Sequence, residues 1–202
     1  RGLGGAAGGG GLERTAAVAG SPIRAVWLAK GAVVVSTQAT RQLHLVDLAG
    51  GTVEFIELDE PDAETMWFTD PVALPNENMI LASRWRNGGG DGADIVAISL
   101  DTRKLTMVVR GSSPRLVGSS TLVFLQRGEL VAATFDPDTL SVSGSVQSIA
   151  PAGTQNLAYP RETTDQIRGA IHDNGLALLP MGGGELPELV WFSRTGEESS
   201  TG

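Results

Sequence analysis

The 202-residue sequence contains no cysteine, which excludes disulfides and thiolate metal sites and leaves the redox compartment open. Aromatic residues make up only 5% of the chain, so any core must be mainly aliphatic. Apolar runs are short. None approaches the roughly 18 residues that span a bilayer, and no charged-then-apolar leader opens the chain. Basic residues are outnumbered: 15 Lys and Arg stand against 23 Asp and Glu, a formal net charge of −8. With no local Lys/Arg cluster to reverse it, that charge repels a phosphate backbone and argues against a nucleic-acid partner. The chain begins at Arg1 rather than methionine and is expected to be a piece of a longer protein.

Catalytic signatures are missing too. No G-x-S-x-G elbow, H-E-x-x-H helix or phosphate-binding loop occurs, and neither do the kinase H-R-D and D-F-G loops. The two histidines, His44 and His172, stand far apart with no shared acidic motif. His44 is expected in a strand on a blade surface and His172 in a turn. No catalytic, cofactor-binding or metal-ligating residue is therefore expected, and no cofactor.

Against these absences stand 27 glycines, 10 prolines and a 41% hydrophobic share. Residues 1–11, almost wholly Gly and Ala, bury too little surface to offset their ordering entropy and are expected to be loose. From residue 12 to 202 the apolar runs are strand-sized, rich in Val, Ile and Leu, and bounded by Gly, Pro, Asn or Asp. They recur in a fixed order. First runs fall at 23–28, 70–74, 114–117 and 167–171, and second runs at 32–36, 79–83, 122–125 and 176–179. Third runs fall at 43–47, 95–100, 130–135 and 189–193, and fourth runs at 53–58, 105–109 and 146–149, the last repeat stopping short of its fourth. A period of roughly 40–55 residues with four strands in each predicts an all-β chain, a β-propeller of about four four-stranded antiparallel blades. Residues 12–18 read as a strand left from a preceding blade, so the arc is expected to be open. Its end faces would then leave Val33, Val35, Leu176 and Leu178 uncovered.

In such a meander the first-to-second and third-to-fourth turns share one face. The short turns at 29–31, 48–52, 75–78, 101–104, 118–121, 136–139 and 172–175 all fall there. The long connections 59–69, 84–94, 150–166 and 180–188 fall on the opposite face, where binding is expected. That face carries Trp67 and Phe68, Arg84, Trp85 and Arg86, and Tyr159 and Arg161. Aromatic and arginine side chains dominate binding hot spots, so these seven are the candidate partner-binding residues for a protein, a peptide or a small ligand. Trp67 or Trp85 wedged between blades is the alternative. Gly89 to Val96 fits one copy of a calcium nonapeptide pattern, but one copy supplies only part of the oxygen shell, so a glycine loop with Asp91 and Asp94 solvated or capping is expected. The acidic stretch Glu57, Asp59, Glu60, Asp62 and Glu64 reads as a solvated loop for the same reason.

Residues 94–144, running DIVAISLDTRKLTMVVRGSSPRLVGSSTLVFLQRGELVAATFDPDTLSVSG, are similar in motif order to the TolB-like, WD40-like propeller repeats of bacteria. LHLVDLAGGTVE at 43–54 and AIHDNGLALLP at 170–180 resemble further units of that family, so the likeness runs from about residue 12 to residue 196. The chain departs from the pattern at Phe68-Thr69-Asp70-Pro71 and Leu74-Pro75-Asn76-Glu77, where the family has a His-Arg-Trp-Pro run and then an Asp-Gly turn. Such repeats occur beyond the membrane segment of bacterial serine/threonine kinases, usually with more than four blades. The resemblance therefore implies a non-catalytic sensor or scaffold fragment with an extracytoplasmic location. A propeller gating a prolyl-oligopeptidase-like hydrolase, its catalytic domain outside these residues, is the alternative it leaves open.

Overall fold

The computed structural model describes residues 2–5, 14–29, 31–37, 40, 42–60, 66–76, 78–86, 92–150, 169–172, 175–178, 190–192 and 198–200. A two-stranded hairpin comes first, β1 (Gly2–Gly5) against β2 (Arg14–Ala17). Four antiparallel sheets of four strands follow. The first holds β3 (Pro22–Trp27), β4 (Ala32–Thr37), β5 (Leu43–Asp47) and β6 (Thr52–Phe55). The second holds β7 (Trp67–Ala73), β8 (Met79–Trp85), β9 (Ala93–Ser99) and β10 (Leu105–Arg110). Strands β11 (Ser112–Val117), β12 (Thr121–Gln126), β13 (Glu129–Asp136) and β14 (Ser141–Ala150) make the third. The fourth is β15 (Gly169–His172), β16 (Gly175–Leu178), β17 (Val190–Phe192) and β18 (Glu198–Ser200). Among the described residues there is no helix, and none long and apolar enough to cross a membrane.

Each sheet is a simple meander, with its strands hydrogen-bonded in chain order. The first strands crowd together: β3 packs beside β7, β7 beside β11, and β11 beside β15. Successive sheets therefore radiate from a line of inner strands as blades of an open arc.

The apolar runs are continuous because a blade inside the arc is buried on both faces. Side chains alternate across a strand. In the second blade Ile80, Ala82, Val96 and Ile98 pack toward Val34, Leu43 and Ile56 of the first, while Leu81, Ile95 and Ala97 pack toward Leu122, Phe124 and Phe135 of the third. Fully burying an aliphatic or Phe side chain of this size contributes about 1.5–3 kcal/mol. The interfaces between blades are thus the core.

Two expectations are corrected here. The last repeat does have a fourth strand, β18, which pairs with β17 through Trp191 and Ser199. Val33 and Val35 are not left uncovered, because Ala16 and Val18 pack on them beside Val46. Residues 14–17 accordingly pair with β1, across the first blade's outer face, and not with the last blade. The side chains of Leu176 and Leu178 lie outside the described residues.

The inner strands share an irregularity. Register shifts by one residue between Pro22 and Arg24, between Thr69 and Val72, and between Ser112 and Arg115. A proline lies at or within each shift: Pro22, Pro71 and Pro114. Lacking an N–H, proline is tolerated only at sheet edges and bulges, and the inner strand is the edge nearest the axis. The passage from β10 to β11 is a single residue, Gly111, with φ 151°. A Cβ there would sit 2.6 Å from both the Leu125 carbonyl oxygen and the Phe124 ring.

Candidate functional site

The bulges turn three charged side chains from three consecutive blades toward one another. Asp70, on β7, has no exposed surface and a left-handed backbone, φ 53°. Its Oδ2 accepts hydrogen bonds from the hydroxyls of Thr69 at 3.0 Å, Ser113 at 3.4 Å and Ser83 at 3.5 Å. Its Oδ1 faces Arg24 Nε of β3 at 3.6 Å and Arg115 Nη2 of β11 at 3.7 Å. Ser113 is also left-handed, φ 53°, and its N–H donates to Ser83 Oγ at 2.8 Å. One buried carboxylate thus ties the inner strands of three blades. An ionised carboxylate in such a place is tolerable only with partners of this kind.

Arg115 carries a second bond, Nη1 to the Pro114 carbonyl at 2.7 Å. Burial pushes its guanidinium below the ordinary arginine pKa. The Asp70 charge and hydrogen bond oppose that shift, and the Arg24 charge adds to it. Solvent access rises across the cluster: Asp70 is 0% exposed, Arg115 15% and Arg24 33%.

Most of the candidate partner-binding residues sit deeper than expected. Trp67 and Phe68 belong to β7, and Arg84 and Trp85 to β8, paired as Trp67 with Trp85 and Phe68 with Arg84. Both strands run further than the apolar runs suggested, because pairing holds polar and aromatic residues as readily as aliphatic ones. Phe68 is core, and Arg84 and Trp85 are buried rather than accessible, while Trp67 is half-buried. Trp85 is fixed by its indole N–H, which donates to Thr69 Oγ1 at 3.0 Å. Arg84 is held by Asp94 Oδ2 at 2.7 Å, and Arg86 lies 3.9 Å from the same oxygen with a mostly exposed side chain. Asp94 of the nonapeptide-like stretch is therefore an arginine partner, and no group of three or more metal-binding side chains gathers among the described residues. Tyr159, Arg161 and Asp91 lie outside the described residues, as do Asp62 and Glu64.

Trp85, Thr69 and Asp70 form one hydrogen-bonded line, so part of the candidate set does adjoin the charged cluster. Sequence reading passed over Arg24, Asp70 and Arg115 as a set. A signal was available: a proline near the start of three successive first runs, with a charged residue within two positions each time. His44 also differs from expectation. It is buried, its Nε2 3.0 Å from Thr40 Oγ1 and 3.4 Å from Thr37 Oγ1, with its ring 4.5 Å from that of Phe55. Burial holds its pKa below the usual histidine value.

Four radiating meanders with their first strands innermost decide the architecture. The fold is that of a β-propeller. No family model matches the chain, and no curated protein matches it. Solved structures do. TolB from Acinetobacter baumannii superposes with a TM-score of 0.63 at 18% identity, over 95% of this chain and 46% of that one. A calcium-binding regucalcin from Agrobacterium tumefaciens gives 0.61 at 13%, over 93% and 62%. A puromycin-hydrolyzing peptidase from Mycobacterium tuberculosis gives 0.60 at 15%, over 89% and 30%. The chain spans less than two thirds of each of these structures. They include a peptidase, and a shared propeller leaves catalysis undecided because function resides in sites grafted onto a fold.

Proposed function

We propose that this chain is a non-catalytic recognition module, an arc of propeller blades within a larger bacterial, membrane-anchored protein of the serine/threonine kinase type. Its ligand would be a protein or peptide docking at the long-connection end of the arc. The observation that carries this reading is the buried Arg24, Asp70 and Arg115 cluster, which uses strained backbone and three blades to hold charge beside the inner strands. Residues held in sparsely populated conformations gather at functional sites, where surrounding structure maintains the strain. Arg86, exposed beside Asp94 at the end of β8, would be the outer contact. The kinase context and the extracytoplasmic location rest on the repeat resemblance alone.

Panning a displayed random-peptide library on the immobilised chain tests the module. Enrichment of one sequence family, bound one to one and weakened by Arg86→Ala, is the expected result. Lack of enrichment, or binders indifferent to that change, would overturn it, and cleavage of bound peptides would overturn the non-catalytic part. The likeness to the puromycin-hydrolyzing peptidase supports a second reading, a propeller gating a hydrolase. A G-x-S-x-G domain beside these residues in the full reading frame would favour it.

A further inference from the structure

The first blade has one face that is covered over only part of its width. Val33, Val35 and Val46 lie beneath Ala16 and Val18, yet Trp27 of β3 is 58% exposed and Ala25 is exposed too. Both belong to that face, because residues paired across an antiparallel ladder share a side, and Trp27 pairs with Val33 and Ala25 with Val35. The equivalent positions in the next two blades are Ala73, paired with Ile80, and Leu116, paired with Leu122. Those pairs pack into the first-to-second and second-to-third blade interfaces. Trp27 thus occupies an interface position on an inner strand, yet it remains open. What covers the rest of the face is half a sheet. Strand β2 leads into β3 as β6 leads into β7 and β10 into β11, and it lies beside β6 as β10 lies beside β14. It therefore holds the outermost place of a meander, with β1 next inward. Among the described residues no strand pairs with the other edge of β1. A lone two-stranded hairpin is marginal in water, and β1 reads Gly-Leu-Gly-Gly, whose glycines weaken a strand further.

We infer that β1 and β2 are the outer half of a further blade, and that a pair of extended strands docks on the open edge of β1 to complete it over Trp27. The inference rests on the reading of these blades as part of a larger protein, and it assigns the strand pair to that protein. At about 4.8 Å per strand, two strands widen the half sheet by about 10 Å, toward the inner strand that bears Trp27. The innermost would lie beside β3, as β3 lies beside β7 and β7 beside β11. Its side toward Trp27 should be aliphatic, because the interior blades meet through Val, Leu, Ile and Ala. A polar surface is a poor occupant, since docking would strip water from its polar groups against an indole and valines. A second copy is disfavoured as well, because two chains of net charge −8 repel each other.

The test compares chain 1–202 with the full protein of its reading frame. Hydroxyl-radical footprinting reads Trp27, with buried Trp85 as the internal reference, and amide exchange reads residues 2–5. In the full protein, exchange at residues 2–5 should slow about tenfold or more as the open edge gains hydrogen bonds. Trp27 oxidation should fall toward that of Trp85. Trp27→Lys should leave the urea midpoint of chain 1–202 unchanged, as an exposed position allows, and lower that of the full protein. Trp27 equally reactive in both proteins overturns the inference, and so does a reading frame that supplies no strands beyond residues 1–202. Slowing of Trp27 oxidation in chain 1–202 as its concentration rises gives the face to a second copy and overturns the assignment. If Trp27→Lys does not fold, footprinting of the unaltered proteins decides alone. The recognition reading fails separately: Trp27 protected in the full protein without enriched peptides removes recognition and keeps this interface, whereas enriched peptides with Trp27 open in both proteins do the reverse.

Discussion

At the scale of single residues, the buried charges matter most. Removing the Asp70 charge leaves two arginines facing each other with their shared counter-ion gone, and breaking a buried pair in this way costs about 3–5 kcal/mol. Asp70→Asn should therefore lose stability on that order by urea denaturation, and a loss below about 1 kcal/mol would mean the carboxylate is not a tie between blades. His44 gives a pH dependence of definite sign. Burial lowers its folded pKa below the ordinary 6.5, so the unfolded chain binds the proton more readily than the native one. The stability contributed by neutral His44 is present above 6.5 and is lost as pH falls through the folded value. Urea midpoints should fall between about pH 7.5 and about pH 5, and the fall should be smaller in His44→Gln. An equal fall in the variant would assign it to other groups.

At the scale of elements, the inner strands and their entries are the sensitive places. Gly111 carries φ 151° and has backbone and ring atoms 2.6 Å from where a Cβ would stand. Gly111→Ala should cost about 2 kcal/mol or more, read from the urea midpoint, while a neutral result would show that β10 and β11 can shift apart. Trp85 belongs to the same class: buried in β8 and bonded to Thr69, it should lose about 3–5 kcal/mol on replacement by Ala. Trp85→Phe, which keeps the ring and drops the N–H, should lose about 1 kcal/mol. A Trp85→Ala protein of unchanged melting behaviour would return Trp85 to the surface.

Across the whole molecule, stability should be graded from the interior blade outward. Strands β8 and β9 are packed on both faces, whereas β6, β10 and β14, the outer strands of the first three blades, are largely exposed. Amide hydrogen exchange should be slowest in β8 and β9 and fastest in the three outer strands. Equal protection across a blade would indicate that outer edges are covered in solution. The same layering explains what could be read beforehand. Runs such as Val33-Val34-Val35 and Ile95-Val96-Ala97-Ile98 announce strands buried on both sides, and their recurrence announces blades, because burial on two faces demands apolar residues at every position. Strand periodicity and turn chemistry are local, so a linear sequence carries them. The meeting of Arg24, Asp70 and Arg115 is not local. It depends on how far each bulge rotates an inner strand and on three blades packing side by side, and no pattern within one repeat encodes that. The depth of Arg84 and Trp85 was hidden for the same reason, since a side chain at the edge of a run becomes surface or core only when the neighbouring blade arrives to cover it.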